Sequence, residues 1–240
     1  MFGLGVNAKG KSRGLCLLWQ QHVNLQLQSY SPFHIDVTVH NSSGDDWRFT
    51  GFYGHPETAK RKETWGSASK LSRLSLRLWL VVGDFNKILH QKEKSAMNRG
   101  PQSQLNDLRR CLESCNLVDL GSEGPRFTWC NHREDPHTVR ARLDRAIASD
   151  EWAVLFSGAT VQTIPSSHSD HSAILVEIVR DQHFDCKKKR FWFWAMWLRS
   201  DECVEVVQSH WVAHSRGSAI SALQQKNSAL SCGFVTVGSK

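Results

Sequence analysis

Apolar and polar positions alternate over much of the first third of the chain. Val23, Leu25 and Leu27 fall on one face, and Phe33, Ile35, Val37 and Val39 repeat the pattern after Ser29-Tyr30-Ser31-Pro32. A period of two predicts two antiparallel strands joined by a turn. Asn41 to Asp46 is polar and predicts a loop, and Trp47 to Tyr53 predicts another strand. After Gly54-His55-Pro56 the period lengthens: within Glu57 to Leu76, Trp65, Ala68, Leu71 and Leu74 recur at helical spacing and predict one buried face. Leu105, Leu108, Leu112 and Cys115 predict a second amphipathic helix, with Pro101 at its approach. Asn116 to Leu120 is expected to close that helix, and the polar stretch Lys87 to Gly100 is expected to be loop.

Between the two helices lies a run of a different kind, Leu78-Trp79-Leu80-Val81-Val82. Continuous apolar residues of this length read as a strand buried on both faces. Gly83-Asp84-Phe85-Asn86 follows at once, so the strand delivers a carboxylate and an amide to the rim of a sheet, where ligands commonly bind. Taken alone, Asp84 and Asn86 read more readily as turn residues, and it is the two later stretches that change this. Further on, Phe127 to Trp129 and Val139 to Ala148 read as strands, and Val161 to Ile164 and Ala173 to Val179 flank Ser166-Ser167-His168-Ser169-Asp170-His171. The order of strands, helix, strand, helix, strands predicts an α/β chain with two packed sheets and helices outside.

Length and composition sharpen this only in places. A chain of 240 residues holds one good-sized domain with a small appendage. The composition shifts after Val179, which puts a domain at 1–180 and a basic-aromatic, partly helical or disordered tail at 181–240. That tail holds Lys187, Lys188, Lys189 and Arg190 ahead of a Trp/Phe cluster, a weak candidate for nucleic-acid contact that reads more readily as a linker plus a helix face buried on a further domain. The net charge of +7 suits a polyanionic partner. Seven cysteines, an odd count without a Cys-x-x-Cys, together with no signal peptide, predict reduced thiols and an intracellular protein. The longest apolar run, Phe191 to Leu198, is too short for a bilayer, so no membrane association is expected. Gly5 to Ser12 matches the phosphate-loop pattern, but only Met1 to Leu4 precede it and the stretch after it reads as a strand, so nucleotide binding is a distant third reading.

Three strand ends carry the candidate chemistry: Asp84 with Asn86, Asp144 in Arg142-Leu143-Asp144-Arg145, and Asp170 with His171. Hydrolysis of a phosphodiester calls for charge neutralisation, proton transfer and donors to the phosphate, and these side chains cover most of that list. Trp79 to Leu89, Phe127-Thr128-Trp129-Cys130-Asn131, Arg142 to Ala146 and Ser169-Asp170-His171-Ser172 resemble the endonuclease/exonuclease/phosphatase superfamily. More narrowly they resemble the endonuclease region of plant LINE-type (non-LTR) retrotransposons, as do Thr50 to Pro56 and Ala195-Met196-Trp197-Leu198.

The resemblance implies a four-layer α/β sandwich and a phosphodiesterase site at one rim, dependent on Mg²⁺ or Mn²⁺. It implies that Asp84 handles the attacking water or leaving group, Asn86 and Tyr53 hold the phosphate, and Asp170 is a metal-side carboxylate. His171 would stand beside the scissile phosphate with Asp144 as its orienting partner. DNA is the implied partner, a reverse transcriptase the implied neighbour in the full element, and the nucleus the implied location. The family's upstream strands, with their Asn and metal-binding Glu, find no counterpart, since only Glu57 and Glu63 precede Asp84. The expectation is therefore a truncated domain, weakly active or an inactive nucleic-acid binder. It would self-associate through an uncovered sheet edge near Leu15, Leu17 and Trp19.

Overall fold

The computed structural model describes residues 1–7, 14–41, 44–74, 78–95 and 102–179. The expectations for 181–240, including the Lys187 to Arg190 run, lie outside the described residues, as do residues 8–12 of the phosphate-loop pattern. The chain opens with β1 (Phe2–Val6) and β2 (Leu15–Trp19), paired antiparallel, so a strand follows the phosphate-loop pattern. A meander of β3 (Asn24–Ser31), β4 (His34–His40) and β5 (Trp47–Tyr53) comes next. One 3-10 turn (Thr58–Lys60) leads into α1 (Arg61–Leu74), then β6 (Trp79–Asp84), α2 (Gln102–Ser114) and β7 (Leu117–Asp119). The remainder is β8 (Trp129–Cys130), β9 (Arg140–Ala141), β10 (Asp144–Ser149), α3 (Asp150–Leu155), β11 (Thr160–Ile164) and β12 (Ala173–Glu177).

The main sheet runs β3-β4-β5-β6-β10-β7, with β5 and β6 parallel and its other pairs antiparallel. Its period-two pattern decides what each face buries. Trp79 and Val81 of β6 and Ile147 of β10 pack on Trp65 and Leu71 of α1 and Leu108 and Leu112 of α2. Leu80, Ala146 and Ala148, from the same strands, turn the other way onto Trp47, Trp152, Phe156 and Val161. That second face meets the shorter strands, paired as β8-β9 and β11-β12 and tied together by a bridge between Trp129 and His171. The result is the sandwich expected from the sequence, two sheets face to face with α1 and α2 outside. Among the described residues no helix is long and apolar enough to cross a membrane.

Several boundaries differ from the sequence reading for local reasons. β3 runs through Ser31 because a bulge between Leu27 and Ser29 shifts its register, so the turn falls at Pro32 and Phe33. Leu74 is 71% exposed and lies outside the buried face of α1. The segment expected to close α2 contains β7, an edge strand of three residues that is too short for periodicity to show. α3 has only six residues, with Ser149 at its start accepting from the Trp152 N–H. Leu15, Leu17 and Trp19 are half-buried, and Leu18 is the β2 side chain left 61% exposed.

Two charged groups are buried inside the fold. The Arg48 guanidinium bonds Asp36 (2.7 Å) and the Leu71 carbonyl (2.6 Å), while Thr50 donates to Asp36 and the Trp79 indole donates to Thr50. Arg145, fully buried, bonds Asp119 (2.6 Å), Glu93 (3.0 Å) and the carbonyls of Lys87 and Arg142. Arg142 shares the same two carboxylates. The polar stretch after Asn86 is thus an anchored segment, with Lys87 and Glu93 buried and a 3-10 turn at Gln91–Glu93.

Two stability measurements follow. Arg145→Met leaves Asp119 and Glu93 with Arg142 as their one remaining shared cation and is expected to lower unfolding free energy by about 3 kcal/mol in urea titrations; a loss below about 0.5 kcal/mol would mean that Arg142 suffices. At Gly83, where φ is +156°, a Cβ would lie 1.9 Å from the Phe52 carbonyl oxygen, so Gly83→Ala must push β5 and β6 apart. That substitution is expected to cost at least about 3 kcal/mol.

Candidate functional site

The register of the main sheet sets three side chains in one row. Tyr53 at the end of β5 pairs with Asp84 at the end of β6, and Asp84 pairs with Asp144 at the start of β10. Beneath this row Phe52, Phe85 and Trp65 stack with centroids 4.9 to 6.3 Å apart and hold the rim in place. Gly54 is needed there, since a Cβ would stand 2.3 Å from the Phe85 carbonyl oxygen. Like charges directly opposite on neighbouring strands are unfavourable, so Asp84 facing Asp144 is not a stability feature.

Asp84 is held by the residue two positions on. The Asn86 backbone N–H donates to its Oδ1 (2.7 Å), and the Asn86 side-chain amide donates to Oδ2 (2.8 Å) and to the Gly54 carbonyl (2.9 Å). Asn86 adopts a left-handed φ of 50°, which asparagine tolerates better than most residues. Both amide hydrogens of Asn86 are therefore engaged within the site. Burial, and next the charge of Asp144, push the Asp84 carboxyl up to about 6, against the pull of Asn86, His171 and Arg61.

His171 arrives from the second layer. Its segment pairs with β8 through the Trp129 bridge, the Cys130 N–H to the Asp170 carbonyl and the Ser172 N–H to the Thr128 carbonyl. Its Nδ1 bonds Asp144 Oδ2 at 2.9 Å, and this bond raises the imidazole pKa while burial opposes it. Thr128 fixes Asp144 in turn, its Oγ1 accepting from the backbone N–H groups of Leu143 and Asp144. Ligand atoms of Asp84, Asp144 and His171 all lie within 4.8 Å of one another.

Asp170 bends away from its neighbour, and its carboxylate accepts from the Trp129 indole at 3.1 Å. It stays outside the cluster of three but lines the same cleft, as do Tyr53 and Asn86. The cleft has a volume of about 1180 Å³ and includes residues to which the sequence assigned no role, among them Arg61, Lys87, Lys94, Asn131 and Arg133. For Lys87 the signal was adjacency to Asn86, hidden by the reading of that segment as loop. For Arg61 none existed, because it reaches the site only through the turn of chain after Tyr53.

The cluster fits a divalent cation. Two carboxylates face each other under mutual repulsion, which a cation would relieve, and their oxygens suit Mg²⁺ or Mn²⁺. Nδ1 of His171 is taken by Asp144, so Nε2 is the imidazole atom available to a ligand. No glutamate is among the described residues lining the cleft.

The raised acid gives a pH dependence of definite sign. Asp84 contributes stability while neutral, and that contribution is lost as pH rises from the ordinary carboxylate value of 3.8 through about 6. The shift of about two units corresponds to about 3 kcal/mol at most. His171, raised in the fold, adds stability below its ordinary 6.5 that is lost as pH rises through its higher folded value. Without divalent cations the melting temperature is expected to be higher at pH 5 than at pH 7, and millimolar Mn²⁺ should raise it at pH 7. Asp84→Asn should weaken both responses in thermal-shift measurements; an unaltered Mn²⁺ response would remove Asp84 from the cation site.

No protein-family model matches the sequence, and no curated protein matches it. Solved structures do resemble it in fold. The endonuclease domain of TRAS1, a telomere-specific non-LTR retrotransposon, superposes with a TM-score of 0.58 at 14% identity, covering 75% of this chain and 81% of that one. A 3′ phosphatase from Neisseria bound to a product DNA hairpin gives 0.49 at 16% identity over 66% and 71% of the two chains. An endonuclease/exonuclease/phosphatase family protein from Leptotrichia buccalis gives 0.46 at 14% over 74% and 71%. The described residues thus share their fold with the endonuclease domain of a non-LTR retrotransposon.

Proposed function

We propose that this chain is a metal-dependent phosphodiesterase acting on DNA, of the nicking endonuclease kind found in LINE-type retrotransposons. One observation carries the reading: Asp84, Asp144 and His171, from two sheets, converge within 4.8 Å at a rim where Tyr53 joins their row. A divalent cation held by Asp84 and Asp144 would neutralise phosphate charge and ease attack by water. Asn86 locks the Asp84 carboxylate, whose oxygens orient the attacking water by accepting its hydrogen bonds. Asp144 fixes the His171 ring in one tautomer and favours its protonated form, so Nε2–H can donate to a phosphate oxygen. Tyr53 supports the phosphate from the β5 side of the row, and Asp170 is a further carboxylate on the cleft wall.

Two carboxylates hold a hard cation weakly, and the described cleft adds no glutamate, so turnover is expected to be slow and to need millimolar metal. The same observation, with the net charge of +7, supports a second reading in which the chain binds DNA without cleaving it. In a retrotransposon the nick would prime reverse transcription, which makes a reverse transcriptase segment and chromosomal DNA the natural partners.

Conversion of supercoiled plasmid to nicked circles separates the two readings. The wild-type chain with Mn²⁺ or Mg²⁺ should nick, and Asp84→Ala and His171→Ala should each reduce the rate at least about 100-fold. Nicking by both variants at the wild-type rate would sink the enzymatic reading. Salt-sensitive binding with no nicking by the wild type would leave the binding one.

A further inference from the structure

Two thiols lie where α1 meets α2, on the outer side of the main sheet. Cys111 belongs to α2, and Cys115 follows one turn on at its C-terminal end, its N–H donating to the carbonyls of Cys111 (3.1 Å) and Leu112 (3.2 Å). The Cys111 thiol donates to the Trp65 carbonyl (3.6 Å) and the Cys115 thiol to the Ser69 hydroxyl (3.9 Å), and Trp65 and Ser69 are likewise one turn apart on α1. The two sulfurs therefore stand one above the other on the side of α2 that faces α1. A buried cysteine is ordinarily a small apolar core residue. Cys115 differs in its surroundings: half-buried Ser69 and Ser72 and exposed Ser114 place hydroxyls around its sulfur. The bond from Cys111 draws the Cys115 thiol well below the usual thiol range, burial opposes, and the three serines reinforce the shift. The same contact, together with burial, pushes the Cys111 thiol up, so Cys111 keeps its proton and Cys115 is the sulfur that ionises.

The chain after Cys115 links this pair to the sheet rim. Asn116, with a left-handed φ of 50°, turns into β7, where Asp119 holds Arg142 and Arg145 next to Asp144. Residues four apart on a helix have Cβ atoms about 5 to 6 Å apart, whereas a disulfide needs about 3.5 to 4.5 Å, so a bond between these sulfurs has to deform the last turn of α2.

We propose that Cys115 is a site of reversible oxidation by small hydroperoxides, that Cys111 resolves it to a disulfide, and that the deformed turn loosens β7. The Cys115 sulfur attacks one peroxide oxygen: an S–O bond forms, the O–O bond breaks, and the hydroxide that leaves takes up the proton Cys115 released. The sulfur is oxidised and the peroxide reduced. The Cys111 sulfur then attacks the sulfenic sulfur, forming the S–S bond, and the hydroxyl departs as water with the Cys111 proton. Exchange with a thiol reductant restores both cysteines.

The reduced full chain is exposed to low hydrogen peroxide, blocked with iodoacetamide, digested with trypsin and weighed. Cleavage after Arg110 and Arg126 gives a peptide that holds Cys111 and Cys115 and no other cysteine. That peptide is expected to lose the pair of hydrogens a disulfide removes before exposed Cys16 or half-buried Cys130 is oxidised, and dithiothreitol should reverse the loss. Amide hydrogen exchange at Cys115 and along β7 should rise at least about tenfold in the oxidised chain. Cys111→Ser should leave Cys115 as a sulfenic acid that dimedone labels, and Cys115→Ser should leave Cys111 reduced. A peptide that stays reduced while Cys16 and Cys130 oxidise, an oxidation that dithiothreitol does not reverse, equal oxidation of Cys111 in Cys115→Ser, or unchanged exchange along β7 overturns the inference. Should either serine variant fail to fold, the wild-type peptide and its exchange rates decide the matter.

Discussion

A guanidinium with no access to water lies one residue from the row of acids at the sheet rim. Arg145 follows Asp144 on β10, and strand alternation sends its side chain to the opposite face, where Asp119 of β7 and Glu93 of the segment after β6 meet it. Taking a cation out of water costs several kcal/mol, so the site exists only because both acids, and the carbonyls of Lys87 and Arg142, replace that water. Arg142 joins the same acids, which makes the group two cations on two anions and close to neutral. Burial raises the acid pKa values of Glu93 and Asp119, but the arginines outweigh it and hold both below the usual carboxylate range. The network fixes the cleft in three ways: it sets the start of β10, it pins the edge strand β7, and it bolts down the wall that carries Lys87.

Above this neutral base the rim is electrically unbalanced. Asp84 and Asp144 repel each other across adjacent strands, while Arg61, Lys87 and Lys94 crowd the wall beside them. Neither arrangement serves folding. Asn86, Thr128 and His171 supply the hydrogen bonds that keep the acids in place.

What the sequence revealed depended on how far apart the cooperating residues lie. The central strand was legible because Leu78 to Val82 is an unbroken apolar run and Gly83-Asp84-Phe85-Asn86 interrupts it at once. Asp144 and His171 were legible because each sits in a short motif. β7 and α3 were not, since three and six residues give periodicity too little to work on. The ion network was invisible for another reason. Glu93, Asp119 and the pair Arg142 and Arg145 come from three segments far apart in the chain, and a charged residue reads as exposed until its partners are known. Lys87 was misread in the same way, its burial depending on a carbonyl bonded to Arg145.

The mixed order of the main sheet has a consequence for how the molecule comes to exist in time. β3, β4 and β5 pair through neighbouring segments, so this meander can close by short loops as soon as it leaves the ribosome. β6 must pair in parallel with β5, which requires the whole α1 crossover first, and β10 reaches Asp84 from as far away as Asp144. His171 joins later still in chain order. The row of Tyr53, Asp84 and Asp144 is therefore completed late, on a half-sheet already formed. Until β10 arrives, the edge of β6 leaves the backbone groups of Leu80, Val81 and Val82 without their partner strand, an edge open to pairing with another chain.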